Sequence, residues 1–288
     1  MTMRIVQSID ELRHALLPFR AARIGFAPTM GFLHQGHQTL FRRAAAENSI
    51  AVASVFVNPT QFNDPADLEK YPRDPNGDTA RAREAGIGIL WMPEPRHMYD
   101  PDHTTTVSVA GLTHGLCGAT RPGHFDGVAT VVTKLLNAVQ PTHAYFGQKD
   151  FQQLAVIRRL VRDLNMPVQV VGVPTVREPD GLAMSSRNVH LSTTERHAAL
   201  ALSAALFEAA RSWEQGQRNV DRLVAAVKTA IEAQPAMRID YVNAVDPDDL
   251  HDLAGQTLAP DQGVVIALAV FCGKTRLIDN LRIDAPND

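Results

Sequence analysis

Ile24-Gly25-Phe26-Ala27-Pro28 is a short apolar run stopped by a proline, and Thr29-Met30-Gly31-Phe32-Leu33-His34-Gln35-Gly36-His37 follows it, opening a helical stretch that continues to about Glu47. The order reads as strand, glycine-bearing turn, helix. The same grammar returns on both sides. Upstream, Ser8-Ile9-Asp10-Glu11 has capping-box spacing and Leu12, Leu16 and Leu17 supply an apolar stripe, so a first helix is expected from about Ser8. Downstream, residues 50–57 form the continuous apolar run of a strand covered on both faces, ending in Asn58-Pro59-Thr60-Gln61-Phe62. A loop over 63–76, a helix around 78–84 and a strand over 87–92 come next; a helix over 124–139, a strand over 142–147, a helix over 150–165 and a strand over 168–176 complete the series. Strands alternating with helices predict an α/β fold, a doubly wound parallel sheet of Rossmann-like type.

After Ser192 the grammar changes. A long Ala- and Leu-rich helix to about Gly216, a second over 220–233, and strands over 238–245, 264–271 and 275–283 make a smaller α+β domain. The boundary falls within 178–192, and we draw the domains as 1–183 and 184–288. No repeat or low-complexity tract interrupts either part.

Composition sets the class. The 288 residues are 45% hydrophobic and 20% charged, which is globular, and the net charge of -3 offers no general basic field for a nucleic-acid backbone. Two cysteines, Cys117 and Cys272, build neither a disulfide framework nor a CxxC pair, so a reducing cytoplasm is expected. The first residues carry charges where a signal peptide needs an apolar stretch, and the longest apolar run, Val264–Cys272, is far shorter than the roughly 20 residues that span a bilayer. The expectation is a soluble, unprocessed protein with no membrane or nucleic-acid partner.

In a doubly wound sheet, ligands bind outside the carboxyl ends of the strands. Four polar, mostly glycine-bearing segments follow expected strands: the one ending in His34-Gln35-Gly36-His37, Asn58 to Phe62, Phe146-Gly147-Gln148-Lys149-Asp150-Phe151-Gln152-Gln153, and the stretch from Val176 through Pro179, Asp180 and Gly181 to Met184-Ser185-Ser186-Arg187-Asn188. If the strands stand as read, all four converge on one crevice. His34 and His37 lie three apart at the opening of a helix, on one face, with Gly36 leaving room between them. A helix N-terminus adds unpaired N–H groups and partial positive charge, which makes a phosphate site; a plain helix cap and an incomplete metal pair are the other readings of HxGH. Lys149 at a strand's end supplies a point charge for phosphate, Arg187 a bidentate one, and the 179–181 turn suggests a lid. GxGxxG is absent, and Gly273-Lys274-Thr275 lacks the upstream glycine of a phosphate loop because Leu268 stands there, so it reads as a turn between strands.

HxGH followed distantly by MSSRN resembles the paired signatures of the nucleotidyltransferase and class I aminoacyl-tRNA synthetase superfamily. Within it, PTMGFLHQGH, VNPTQF, RPGHFDGVATVV, FGQKDFQQ and VPTVREPDGLAMSSRN are together similar to the pantothenate synthetase (pantoate–β-alanine ligase) family, over residues 24–188. The resemblance implies a HIGH-motif Rossmann-like fold, a homodimer, and a two-step ligation: pantoate attacks the α-phosphorus of MgATP, giving pantoyl adenylate and pyrophosphate, and β-alanine then displaces AMP. It implies that Met30, Gly31, Phe32, Leu33, His34, Gln35, Gly36 and His37 hold ATP, with His37 the proton donor and His34 stabilising the transition state. Gly147, Gln148, Lys149, Asp150, Val176, Met184, Ser185, Ser186 and Arg187 join them, Lys149 catalytically. Gln61 and Gln153 match the pantoate-binding glutamines, Gln61 also reaching β-alanine; Asn58 and Arg121 lie in matching blocks without assigned roles. Neutral amides orient a carboxylate without blunting it as a nucleophile. Gln35 and Gln148 stand where many relatives carry Glu. Mg2+ is expected on the ATP phosphates, with Asp78 a protein contact.

Other readings compete. HxGH alone also permits a cytidylyl- or adenylyltransferase, against which Gln61, Gln153 and MSSRN argue as a set. A tRNA synthetase is disfavoured by the size and the missing basic surplus. A scaffold without catalysis would have lost His37, Lys149 or the lid.

Overall fold

The computed structural model describes residues 2–284. A strand that the apolar pattern does not mark comes first: β1 (Arg4–Val6) has two exposed residues and one buried, too short for an alternation to show. The Ser8 hydroxyl then accepts from Glu11 N–H at 3.1 Å while the Glu11 carboxylate accepts from Ser8 N–H at 3.2 Å, so the reciprocal cap starts α1 (Ile9–Leu16) as its spacing predicts. β2 (Ile24–Thr29), α2 (Gln35–Glu47) and β3 (Ile50–Val55) follow the reading closely. The expected loop contains α3 (Pro65–Lys70), capped by Asp64 with proline at its first position, before α4 (Pro75–Glu84), β4 (Ile89–Trp91) and α5 (Pro95–Met98). After α6 (Leu116–Thr120) come α7 (His124–Val139), β5 (His143–Gly147), α8 (Phe151–Asp163) and β6 (Gln169–Val173).

The chain divides into two units, the first made of Met1–Gly111, Arg121–Gln148 and Val156–Thr175. Its sheet has the order β1-β4-β3-β2-β5-β6 with every pair parallel. From β2 the chain winds outward through β3 on one side and later through β5 on the other. The order therefore reverses beside β2, which is where such a sheet opens a crevice at its carboxyl end. Alternation sorts the two faces. Ala27, Ala51 and Ala53 join Phe41, Ala44, Ala82 and Leu90 under α2 and α4, the small strand side chains letting the helices come close. On the opposite face α7 packs on β2 and α1 on β4, with Leu12 and Leu16 of α1 fully buried.

The second unit comprises Leu112–Thr120, Lys149–Ala155 and Val176–Asp288. The expected single helix after Ser192 is two, α9 (Thr193–Ala198) and α10 (Leu200–Glu214), meeting at Ala199; no proline or glycine marks the joint, so sequence does not show it. α11 (Val220–Glu232) leads to β7 (Met237–Val245), β8 (Val264–Cys272) and β9 (Thr275–Ile283), an antiparallel sheet with β8 at its centre. Val264, Ile266, Leu268 and Val270 pack on Leu202, Leu206, Leu223 and Val227 from α10 and α11. The alternate residues Val265 and Ala267 face Leu116 and Phe151 instead, so both faces of the strand are covered and its run reads as continuously apolar. Gly273-Lys274 is the turn between β8 and β9, with Gly273 at φ +56°, as expected for a hairpin rather than a phosphate loop.

Candidate active site

The segment after β2 turns through two consecutive left-handed residues, Gly31 at φ +85° and Phe32 at φ +50°. Glycine accepts this freely, but a bulky phenylalanine there is strained and needs support. Asp78, in the first turn of α4, provides it: its carboxylate accepts from Phe32 N–H at 3.0 Å and Leu33 N–H at 2.7 Å. A Cβ on Gly31 would lie 2.8 Å from that carboxylate, so glycine is required there by space as well as by φ. Burial pushes the Asp78 carboxyl above its ordinary value, against the two backbone hydrogen bonds that favour its charge. The folded chain therefore holds this proton more tightly than the unfolded one, and the aspartate's contribution to stability falls as pH climbs from the usual aspartate range to the raised folded value.

His34 is the N-cap of α2. Its Nδ1 accepts from Gly36 N–H at 3.1 Å, and His37 Nδ1 accepts from His34 N–H at 3.2 Å, closing a reciprocal cap built from two imidazoles whose centroids are 4.1 Å apart. The plain-cap reading of HxGH and the phosphate reading are thus compatible. An Nδ1 that accepts carries no proton, so each neutral ring carries its proton on Nε2 and donates from there. Two N–H donors and a helix N-terminus at the switch point of the sheet suit an anion.

Beyond β3, Asn58 is 1% exposed and Gln61 8% exposed. Asn58 Nδ2 donates to Gln61 Oε1 and to Gly127 O, both at 3.1 Å; Gln61 Nε2 donates to Met30 Sδ at 3.1 Å, which joins the second segment to the first. Arg121 Nη2 donates to Gln61 O at 3.2 Å, and His124 Nδ1 lies 2.8 Å from the same carbonyl, so Arg121 holds the backbone of the 59–61 turn. Helix α7 rests backbone on backbone against this turn: a Cβ on Gly127 would sit 2.5 Å from Thr60 O and 2.7 Å from Gln61 N. Gly127→Ala is accordingly expected to lower stability by about 1–3 kcal/mol, the usual effect of overpacking. An unchanged urea midpoint would contradict the contact.

The remaining segments belong mainly to the second unit. A Cβ added at Gly147 would meet nothing within 4 Å, and the residue has no positive φ, so nothing in the fold demands glycine there. Lys149 O accepts from Asn280 Nδ2 of β9 at 2.8 Å, and the preceding Asp279 accepts from Arg177 at 2.6 and 3.0 Å. Neighbouring residues of one strand thereby fix the Lys149 backbone and the start of the 176–188 stretch. That stretch is a hairpin: Met184 N–H donates to Val176 O, Glu178 N–H to Leu182 O, and Gly181 turns the chain at φ +96°. Arg196 reaches Glu178 at 2.7 Å and both Asp180 oxygens at 2.7 and 2.9 Å, holding the Asp180 carboxyl below its ordinary value, while Asn188 Nδ2 donates to Glu178 Oε1 at 2.9 Å. The stretch expected to be a lid is braced by these bonds within its own unit. Ser185 Oγ accepts from Arg187 N–H at 3.2 Å, setting the turn that carries Ser186 and Arg187.

Beside Gln153, the glutamine that the resemblance assigns to pantoate, Gln152 is buried, donating to Leu112 O and Gly115 O and accepting from Cys117 N–H. Arg177, Asp279, Asn280, Tyr99 and Gly127 are not legible in the sequence as site supports, since each acts on a residue distant along the chain. Asp78 requires a correction. Both its oxygens are taken by backbone N–H groups and the residue is 1% exposed, so it anchors the loop and does not fit a magnesium ligand. Among the described residues the only cluster spaced for a metal is Asp246, Asp249 and His251, in the second unit, where the carboxylates of Asp246 and Asp249 cap local backbone N–H groups. No helix among them is long and apolar enough to cross a membrane.

The family model described as pantoate-beta-alanine ligase matches residues 4–282. The chain is 53% identical over 287 residues to the pantothenate synthetase of Heliobacterium modesticaldum, covering 98% of this chain and 100% of that one. Against the crystal structure of pantothenate synthetase from Thermus thermophilus it has a TM-score of 0.91 at 47% identity, covering 98% of this chain and 100% of that one. The Francisella tularensis pantoate-beta-alanine ligase complexed with beta-gamma ATP and beta-alanine is similar at a TM-score of 0.77 and 32% identity, over 97% of each chain.

Proposed function

The chain belongs to the pantoate-beta-alanine ligase family and is an enzyme of that activity, and on this premise we propose that it works through a pantoyl adenylate formed at the residues described above. A carboxylate is a poor electrophile until one oxygen becomes part of a leaving group. In the first step a pantoate carboxylate oxygen attacks the α-phosphorus of ATP; the bond from that phosphorus to the bridging oxygen breaks and pyrophosphate leaves. In the second, the unprotonated amine of β-alanine attacks the acyl carbon, the bond to the AMP oxygen breaks so that AMP leaves with that electron pair, and the nitrogen passes its extra proton to water as the amide forms.

The observation that carries this reading is the two-histidine cap. With Nε2–H donors of His34 and His37 beside the N-terminus of α2, charge growing on departing pyrophosphate is stabilised, His37 being the proton donor of a hydrogen bond whose proton stays on its Nε2. Met30, Gly31, Phe32, Leu33, Gln35 and Gly36 form the bed for ATP, shaped by Asp78. Lys149 adds a point charge and Arg187 a fork; Gln148, Asp150, Val176, Met184, Ser185 and Ser186 complete the nucleotide contacts, and the unforced glycine at 147 suits a close ligand approach. Gln61 and Gln153 take pantoate, Gln61 also β-alanine. Mg2+, travelling on the ATP phosphates, neutralises part of their charge. A cytidylyl- or adenylyltransferase is not favoured, because the match to the ligase family runs nearly end to end.

We also propose a homodimer, on family resemblance, and a cytoplasmic setting, in keeping with two free cysteines. The expected products from pantoate, β-alanine and ATP are AMP and pyrophosphate in equal amounts with the amide. Release of ADP and phosphate would overturn the adenylate route.

A further inference from the structure

The amide of Gln61 can be oriented from its neighbours without reference to any ligand. Gly127 O is a carbonyl and only accepts, so the Asn58 atom facing it at 3.1 Å must be the donor Nδ2. That same nitrogen faces Gln61 at 3.1 Å, so the Gln61 atom there is the acceptor Oε1. Gln61 Nε2 is thereby turned to the other side, toward Met30 Sδ, a weak acceptor that leaves the second N–H of the amide its full donor capacity. Asn58 Oδ1, at the opposite end of its own amide, accepts from Tyr99 Oη at 2.8 Å and Thr60 Oγ1 at 3.1 Å. All four positions of the buried Asn58 amide are filled. Tyr99 is itself held in place: its ring packs against Phe56 and His103, and Lys134 Nζ stands 5.3 Å from the centroid. Burial pushes the Tyr99 hydroxyl above its ordinary value, which keeps it a neutral donor across the working pH range.

We propose that Tyr99 is a positioning residue for the acid substrate: acting through Asn58, it fixes the Gln61 amide so that N–H, and not the carbonyl, meets the pantoate oxygens. The proposal rests on Gln61 binding pantoate, as inferred above. An amide held the other way would set a carbonyl oxygen against a carboxylate, so the relay decides between attraction and repulsion at one atom.

The test is a double-mutant cycle in steady-state kinetics, with KM measured separately for pantoate and for ATP in the parent enzyme, Tyr99→Phe, Gln61→Ala and the double variant, all checked for folding by thermal melts. Losing one neutral hydrogen bond gives an expected rise of about three- to tenfold in the pantoate KM of Tyr99→Phe. The ATP KM stays unchanged, and the substitution has no further effect on pantoate in the Gln61→Ala background. A purely structural tyrosine would move both KM values, or would act equally in both backgrounds, and either result overturns the proposal, as does an unchanged pantoate KM. If Gln61→Ala alone leaves the pantoate KM unchanged, the assignment of Gln61 itself fails and the relay with it, an outcome distinct from the others. Should Tyr99→Phe lose the fold, Thr60→Val withdraws the second donor from the same Asn58 oxygen and is read by the same cycle.

Discussion

His37→Ala is expected to slow pantoate adenylation by about 100- to 1,000-fold, the loss of roughly 2.7–4 kcal/mol seen when one transition-state donor is removed. Two effects combine in this substitution, and their sizes separate them. The alanine removes the Nε2–H donor, and it also removes the Nδ1 acceptor that receives His34 N–H at 3.2 Å. A lost cap costs about 1 kcal/mol of stability, which shifts a thermal melt by a few degrees and leaves the chain folded. The rate loss is therefore out of proportion to the stability loss if His37 acts on the substrate, and in proportion if it only caps α2. His37→Asn sharpens the distinction, because its side-chain carbonyl can restore the acceptor without restoring an imidazole. A near-normal first-step rate in His37→Ala would refute the role assigned to the ring.

Asp279→Ala should destabilise the second unit by about 3–5 kcal/mol, the range for removing one partner of a buried ion pair. The pair is bidentate at 2.6 and 3.0 Å, with the Asp279 side chain 1% exposed and that of Arg177 16% exposed. The alanine leaves a guanidinium over the Phe207 ring with no counter-charge, and it releases both the start of the hairpin and the N–H of Asn280 that the same carboxylate holds. Since Asn280 in turn fixes the Lys149 carbonyl, the variant should bind ATP more weakly at temperatures where it remains folded. Urea denaturation reads the first effect. A change below about 1 kcal/mol would mean that the pair behaves as a surface bridge.

What sequence can show follows from how far its signals reach. The Ser8 cap, the strand that opens at Ile24 and the histidine-capped helix after it are written within a few residues each and are found there, except that the proline read as the strand's stop lies inside it, β2 running through Pro28 to Thr29. The alternation of strand and helix is enough for the parallel sheet. The supports of the site are not local. Tyr99 meets Asn58 from 41 positions away, Phe32 meets Asp78 from 46, and Arg177 meets Asp279 from 102. A lone tyrosine or aspartate on a polar stretch carries no sign of such a partner. For the same reason Asp78 reads as a metal contact in the sequence, when its oxygens serve the strained backbone of Phe32. The braced 176–184 hairpin reads as a loose loop because the turn residues Pro179, Asp180 and Gly181 are visible there and the ion pairs that hold them are not.

The central claim is an enzyme-bound pantoyl adenylate formed before β-alanine is needed. Exchange of labelled pyrophosphate into ATP, measured with pantoate present and β-alanine absent, tests it most directly. The predicted result is exchange that depends on pantoate and falls by about 100-fold or more in His37→Ala. Folded, ATP-binding enzyme that shows no pantoate-dependent exchange, yet still makes the amide when β-alanine is added, would contradict it.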